Sequence, residues 1–336
     1  MEFRPLGRTG VQVSSICLGC MTFGGRTDQA ATNEIVARSL DAGINFLDTA
    51  NVYNRGRSEE ATGVALKALG ARDRVVLATK VHGAMDAEDP NMQGTSRRHI
   101  IQQCEASLRR LGTDYVDLYQ LHRPRPEIAI DETLRALDDL VTSGKVRYIG
   151  SSTFAAWQVV EALWASKEYG LNRFVSEQPP YNILDRRIER ELIPMAQTYG
   201  IGLIPWSPLG GGLLTGKYSR GEPPPADSRF GQAGLPAPQK ARWVDGLFDV
   251  VDALTPIAQE KGCTLAQLAL AWCEQQPGVA SAIIGPRTVE QLQDNLGAAA
   301  VTIDDEDRAR IDAIVPPGRM VSPYYEADFG PHRYRV

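Results

Sequence analysis

The chain has no excess of positive charge. It carries 36 Lys and Arg against 41 Asp and Glu, a net charge of −5, so no basic face is available for a nucleic-acid backbone. It also lacks an uninterrupted apolar run of about 18 residues, so no membrane-spanning helix is expected. The start, Met1-Glu2-Phe3-Arg4-Pro5, has none of the apolar centre of a secretory signal. Cysteine is sparse and odd in number, five in all, at positions 17, 20, 104, 263 and 273. Cys17 and Cys20 form a lone C-x-x-C inside an apolar strand, with no second pair to complete a zinc site. A reduced, structural set in a cytoplasmic protein without a metal is therefore expected. Two nucleotide motifs are missing as well. Gly19 is followed by Cys-Met-Thr-Phe-Gly-Gly, which is not G-x-G-x-x-G, and Lys217 is followed by Tyr218, so the glycine-rich run before it is not a P-loop.

What is present is enough apolar residue, 43% of 336, for a large core, with no internal linker or low-complexity segment. One domain over residues 1–336 is expected. After a short hairpin around Gly7-Arg8-Thr9-Gly10, apolar runs recur at residues 15–19, 45–49, 75–80, 116–122, 146–152, 174–178, 202–206 and 282–285. Between the first seven lie segments of helical period. Ile130, Leu134, Leu137, Leu140 and Val141 are one such set. Eight strands alternating with helices imply a parallel sheet, and without the dinucleotide fingerprint the closed (β/α)8 TIM barrel is favoured over an open doubly wound sheet. Proline and glycine crowd residues 216–241, a long loop after the seventh strand, in the position of a lid. Two extra helices, near 243–261 and 264–276, precede the eighth strand. An aromatic tail with Tyr324, Tyr325, Phe329 and Tyr334 ends the chain.

Barrel enzymes build their sites from strand ends at one rim. This chain places Asp48, Lys80, His122, Ser152, Gln178 and Trp206 at strand ends, with Tyr53 and Arg287 in the loops beyond. Each has an ordinary reading: Asp48 as a cap, Lys80 as a solvated strand end, His122 as a satisfied core histidine, Trp206 as packing. Four titratable groups meeting at one rim are harder to explain as packing, because buried charges need partners. The set has a chemistry. An ammonium at Lys80, held by Asp48, is expected to lower the pKa of the Tyr53 phenol from its usual value of about 10. Tyr53 then gives or takes a proton, and His122 donates a hydrogen bond to a carbonyl oxygen. None of these groups carries a hydride, so a cofactor is required. Trp206 offers a face for a nicotinamide, Ser152 and Gln178 partners for its carboxamide, Gly210–Lys217 a seat for a pyrophosphate, and Arg287 at a helix start a phosphate site.

These residues carry a resemblance. Leu18-Gly19-Cys20-Met21, Asp48-Thr49-Ala50 with Tyr53, Thr79-Lys80, Leu121-His122-Arg123-Pro124, Gly150 with Ser152, Trp206-Ser207-Pro208-Leu209 and Ile284-Gly285-Pro286-Arg287 resemble the aldo-keto reductase superfamily. The likeness is to the bacterial and potassium-channel β-subunit-like branch. It implies NADPH/NADP+ as cofactor and a small-molecule aldehyde or ketone as substrate. It implies Tyr53 as general acid, tuned by Lys80 and Asp48, with His122 orienting the carbonyl. It implies cofactor contacts from Gly19, Met21, Ser152, Gln178, Trp206, Ser207, Leu209, Gly211, Lys217, Gly285, Arg287, Gln291 and Asn295, with Arg287 at the 2′-phosphate. Thr153 stands where many members have Asn, Trp206 where many have Tyr, and Gly285 where a common subgroup has a phosphate-binding Lys, which leaves that task to Arg287.

Two other functions compete. An NADPH-sensing regulatory subunit with slow turnover fits the channel-subunit likeness, although the intact tetrad and the short run before the first strand favour an enzyme. A lyase using Lys80 as a Schiff base is disfavoured, because a lysine paired with Asp48 stays protonated. The substrate pocket is expected near Met21, Phe23, His82, the 216–241 loop and the aromatic tail; its apolar walls suggest an aromatic or aliphatic carbonyl, while His82 and the arginines leave a polar one open.

Overall fold

The computed structural model describes residues 1–327; Phe329 and Tyr334 of the aromatic tail lie outside that range. Strands β1 (Phe3–Pro5) and β2 (Gln12–Ser14) pair antiparallel as the expected hairpin, Phe3 opposite Ser14. Eight parallel strands follow: β3 (Ile16–Gly19), β4 (Phe46–Asp48), β5 (Val76–Val81), β6 (Val116–Leu121), β7 (Val146–Ser152), β8 (Phe174–Gln178), β9 (Gly202–Leu203) and β10 (Ala282–Ile284). They lie in the order β10-β3-β4-β5-β6-β7-β8-β9. The remaining seam is stitched by backbone bonds from Leu203 N–H to Gly278 O (2.9 Å), Ala280 N–H to Leu203 O (2.8 Å) and Ile283 N–H to Pro205 O (2.9 Å). The sheet is thus a (β/α)8 barrel, as the alternation implies. The seventh strand is shorter than its apolar run, because Pro205 lacks the N–H needed to continue the ladder.

Period-two alternation decides what points inward. Cys17, Phe46, Ala78, Leu118, Ile204 and Ile283 pack together inside the cylinder with Leu6 and Val13 of the hairpin, which stoppers the lower end. Their strand neighbours Ile16, Leu18, Leu47, Leu77 and Tyr119 face the helices in a second, larger cluster. Burying each such side chain contributes about 1.5–3 kcal/mol. Cys17 therefore points into the barrel while Cys20 belongs to the outer cluster, and all five cysteines are free thiols.

The same alternation lifts the next inward positions to the upper rim. Two residues beyond Phe46 is Asp48, beyond Ala78 is Lys80, beyond Leu118 is Gln120 and then His122, and beyond Ile204 is Trp206. The loop after β9 contains a short helix, Ala237–Lys240, and is followed by helices Gly246–Glu260 and Leu265–Glu274, close to the two expected. Among the described residues no helix is long and apolar enough to cross a membrane. Tyr324 and Tyr325 are buried, their backbone N–H groups donating to Asp185 Oδ2 at 2.6 and 2.7 Å.

Candidate active site

Strand register fixes the centre. Lys80 of β5 lies beside Gln120 of β6, and Ser152 of β7 beside Gln178 of β8. Lys80 is fully buried, which excludes the solvated strand end. Its ammonium donates to Asp48 Oδ2, to Thr49 O (2.9 Å) and to Tyr53 Oη (3.5 Å). Asp48 Oδ1 accepts from Gln120 Nε2 (3.0 Å) and Gln178 Nε2 (2.9 Å). The carboxylate is thus held by a cation and two amides, the satisfaction a buried charge requires. Gln120 is a member of this network that motif reading missed, although it stands two residues before His122 on the same strand face.

His122 Nε2 lies 3.5 Å from Tyr53 Oη, and the two rings meet edge to face at 5.5 Å. Burial, then the charges of Lys80 and Arg123, push the His122 pKa well below the usual histidine value, so it is neutral. Tyr53 departs from expectation. Its pKa is raised, not lowered. Burial is the largest influence, and Asp48 adds to it; Lys80 pulls the other way, but its charge sits against the Asp48 carboxylate. For Lys80, burial alone favours the neutral amine, yet Asp48 and Tyr53 together raise its pKa, so it stays an ammonium.

Tyr53, Asp48 and His122 open onto a cavity of about 560 Å³. Every residue with an expected cofactor contact lines it: Gly19, Met21, Ser152, Gln178, Trp206, Ser207, Leu209, Gly211, Lys217, Gly285, Arg287, Gln291 and Asn295. A Cβ on Gly19 would come within 2.8 Å of Ile284 O, so only glycine lets β3 end there. Gly211 and Gly212 hold φ of 62° and 100°, a turn that aims the chain at Lys217. Thr288 caps the helix Val289–Leu296, and Gln291 Oε1 accepts from Arg287 N–H at 2.8 Å.

Four non-glycine residues have positive φ among those described: Asn54, Arg55, Thr153 and Ser207. All lie in loops at this rim, where strain is commonly stored. Thr153, β-branched at φ 60°, is the least expected. Behind it, buried Glu177 accepts from Ser151 Oγ–H at 2.5 Å and Phe154 N–H at 3.1 Å, and burial raises its pKa to about 8.

The long loop supplies residues that sequence reading left unassigned. Arg229, Gln239 and Arg242 line the cavity. The Asp227 carbonyl accepts from Arg26 Nη2 at 2.9 Å and Arg287 Nη1 at 3.1 Å, tying the loop after β9 to the loops after β3 and β10. Burial and the neighbouring charges of Arg287 and Arg229 lower the Lys217 pKa. Of the walls expected for the substrate, Met21 lines the cavity, but Phe23 is fully buried in the core and His82 lies outside the lining. Burial and the charges of Arg125 and Arg123 bring the His82 pKa down to about 4.

The Aldo/keto reductase family profile matches residues 15–316. A protein of Arabidopsis thaliana named a probable voltage-gated potassium channel subunit beta is 40% identical over 304 residues, 90% of this chain and 92% of that protein. A Bacillus subtilis protein named an uncharacterized oxidoreductase, YrpG, is 39% identical over 329 residues, 95% of this chain and 97% of its own. A Schizosaccharomyces pombe protein named a putative voltage-gated potassium channel subunit beta is 39% identical over 304 residues, 89% and 88%. With a barrel of this order and likeness across nearly its whole length, this chain belongs to the aldo/keto reductase family, a family of oxidoreductases.

Proposed function

We propose that the protein reduces an aldehyde or ketone to an alcohol with NADPH. The observation that carries this reading is the meeting of Tyr53, Lys80, Asp48 and His122 at one end of a cavity whose walls continue past Trp206 to the cations Lys217, Arg229 and Arg287. A dinucleotide fits such a groove: a flat indole beside the proton donor, then clustered positive charge for its phosphates. Arg287, at the start of a capped helix, would meet the 2′-phosphate, and Lys217 the pyrophosphate. Gln178 Nε2 is taken by Asp48 and Gln120, which leaves its Oε1 to accept from the carboxamide.

The bound nicotinamide supplies hydride to the carbonyl carbon. Neutral His122 donates an N–H to the carbonyl oxygen and fixes its angle. As negative charge gathers on that oxygen, Tyr53 gives up its proton and becomes a phenolate. The Lys80 ammonium at 3.5 Å stabilises the phenolate, and Asp48 keeps Lys80 charged. The raised Tyr53 pKa suits this direction, since the acid form is fully populated at neutral pH.

Steady-state oxidation of NADPH with a panel of aldehydes and ketones tests the proposal. Turnover above buffer with at least one carbonyl is expected, and a preference for NADPH over NADH. A second reading, a cofactor-sensing regulatory subunit, is favoured by the names of two of the relatives. Tight NADPH binding with no turnover on any carbonyl would select it.

A further inference from the structure

Of the cations lining the cavity, Arg123 lies farthest in role from the phosphate seat. It directly follows His122, is half-buried, and lines the cavity with Tyr53. Its charge acts on both: it opposes protonation of His122 and favours the phenolate of Tyr53. Yet among the described residues Arg123 makes no hydrogen bond or ion pair; burial lowers its own pKa, and the charges of Glu326 and Glu177, beyond ion-pair reach, offset this only in part. A guanidinium drawn partly out of water with no carboxylate in direct contact is costly. By contrast, each of the other cations near Trp206 and the loop is engaged or clustered. Arg242 lies over the Tyr324 ring at 4.4 Å and the Trp206 ring at 5.9 Å, and has Glu326 at 4.0 Å. Arg26 and Arg287 hold Asp227, and Lys217 and Arg229 flank the glycine turn.

On the carbonyl-reductase reading, the dinucleotide's phosphates meet the cluster beyond Trp206, and the substrate's carbonyl oxygen sits against both Tyr53 and His122. Arg123 then faces substrate, not cofactor. We propose that Arg123 is a specificity-determining residue that binds an anionic group, a carboxylate, on the carbonyl substrate, so that the preferred substrates are aldehydes or ketones bearing a carboxylate. The planar five-donor fork of a guanidinium matches a carboxylate edge to edge, and a charge-assisted pair of this kind is strong in a partly dry site.

Binding tests this without turnover. Titration calorimetry on the protein loaded with NADP+ is run with benzoate and with benzamide, its neutral twin. Benzoate is expected to bind at least about tenfold tighter, the scale of a charge-assisted hydrogen bond. Arg123→Met should abolish the difference, Arg123→Lys should keep part of it, and NADP+ affinity should change little in either. Kinetics should agree, with kcat/KM for 4-formylbenzoate exceeding that for its methyl ester in wild type and the ratio collapsing in Arg123→Met. Equal affinity for benzoate and benzamide in wild type overturns the proposal even if the variants fail to fold. So does a loss of NADP+ binding in Arg123→Met matching the loss of benzoate, which would assign Arg123 to the cofactor. Benzoate binding through Arg123 in a protein that reduces no carbonyl would uphold the anion site and overturn only the reductase reading.

Discussion

The Lys80 ammonium stands 3.5 Å from the Tyr53 phenol oxygen, and the phenol is nevertheless a weaker acid than free tyrosine. Attraction from Lys80 is opposed by burial and by Asp48, which sits against the same ammonium. The pair therefore favours a tyrosine that holds its proton until charge develops on the substrate oxygen. Tyr53→Phe removes that proton and little else. Turnover should fall by about 100-fold or more, the scale of general acid catalysis, with NADPH affinity nearly unchanged. Stopped-flow reduction and a fluorescence titration of cofactor check the two halves. Full activity in the variant would overturn the assignment of Tyr53.

His122 and Tyr53 together set the pH profile. His122 is pushed well below the usual histidine range, so no loss of rate is expected as pH rises through about 6.5. Reduction needs protonated Tyr53, whose pKa lies above its usual value of about 10. The rate of carbonyl reduction should hold across neutral pH and fall only in the alkaline range. A limb near pH 6.5 that vanishes in His122→Gln would show that His122 titrates.

Much of the fold was legible because an eightfold βα rhythm needs only apolar runs and helical spacing. The rim was legible for the same reason: a strand end is visible in sequence. Gln120 was missed although its alternation with Leu118 and His122 points it inward, since a glutamine within an apolar run carries no motif. Glu177 was missed for a different reason. Its place depends on β7 and β8 lying side by side, with Ser151 opposite it, which no local pattern reveals. Apart from Lys217, the long loop was seen only as a lid, and Arg229 went unassigned, because a proline-rich segment has no period from which to read direction. The acidity of Tyr53 was misjudged because sequence shows which charges are near but not how much water they lose.

Glu177 offers a stability test. In the folded state its pKa is about 8, against 4.5 for an unburied carboxyl. Between those values the folded chain holds the proton and the unfolded chain has released it. Stability should therefore decline as pH rises across this window, at a slope of at most about 1.4 kcal/mol per pH unit from this group. Glu177→Gln should flatten that part of the curve, as urea melts at several pH values would show. An unchanged slope would mean that Glu177 is ionised in the folded protein throughout.

Arg287, proposed to meet the 2′-phosphate, also holds Asp227 O through its guanidinium at 3.1 Å. Arg287→Ala should weaken NADPH binding by about 1.5–3 kcal/mol, the scale of a hydrogen bond to a charged group, and NADH binding far less. Arg26→Met removes the other donor to the same carbonyl without touching the helix start. It should speed cofactor release for NADPH and NADH alike. Equal effects of Arg287→Ala on both cofactors would leave it only the loop-holding role.

The buried pair Lys80–Asp48 separates stability from chemistry. Asp48 has three described side-chain donors: one cation, and two amides from Gln120 and Gln178. Lys80→Met deletes the cation and leaves a carboxylate deep in the barrel, a change that costs about 3–5 kcal/mol where a buried pair is broken. Asp48→Asn in that background removes the orphaned charge while keeping an acceptor for the two amides. The double variant should recover a large share of the lost stability in urea denaturation. It should recover no turnover, because the ammonium that stabilises the Tyr53 phenolate is still absent. Recovery of activity along with stability would mean that Lys80 serves only to neutralise Asp48, and that the proton leaves Tyr53 without its help.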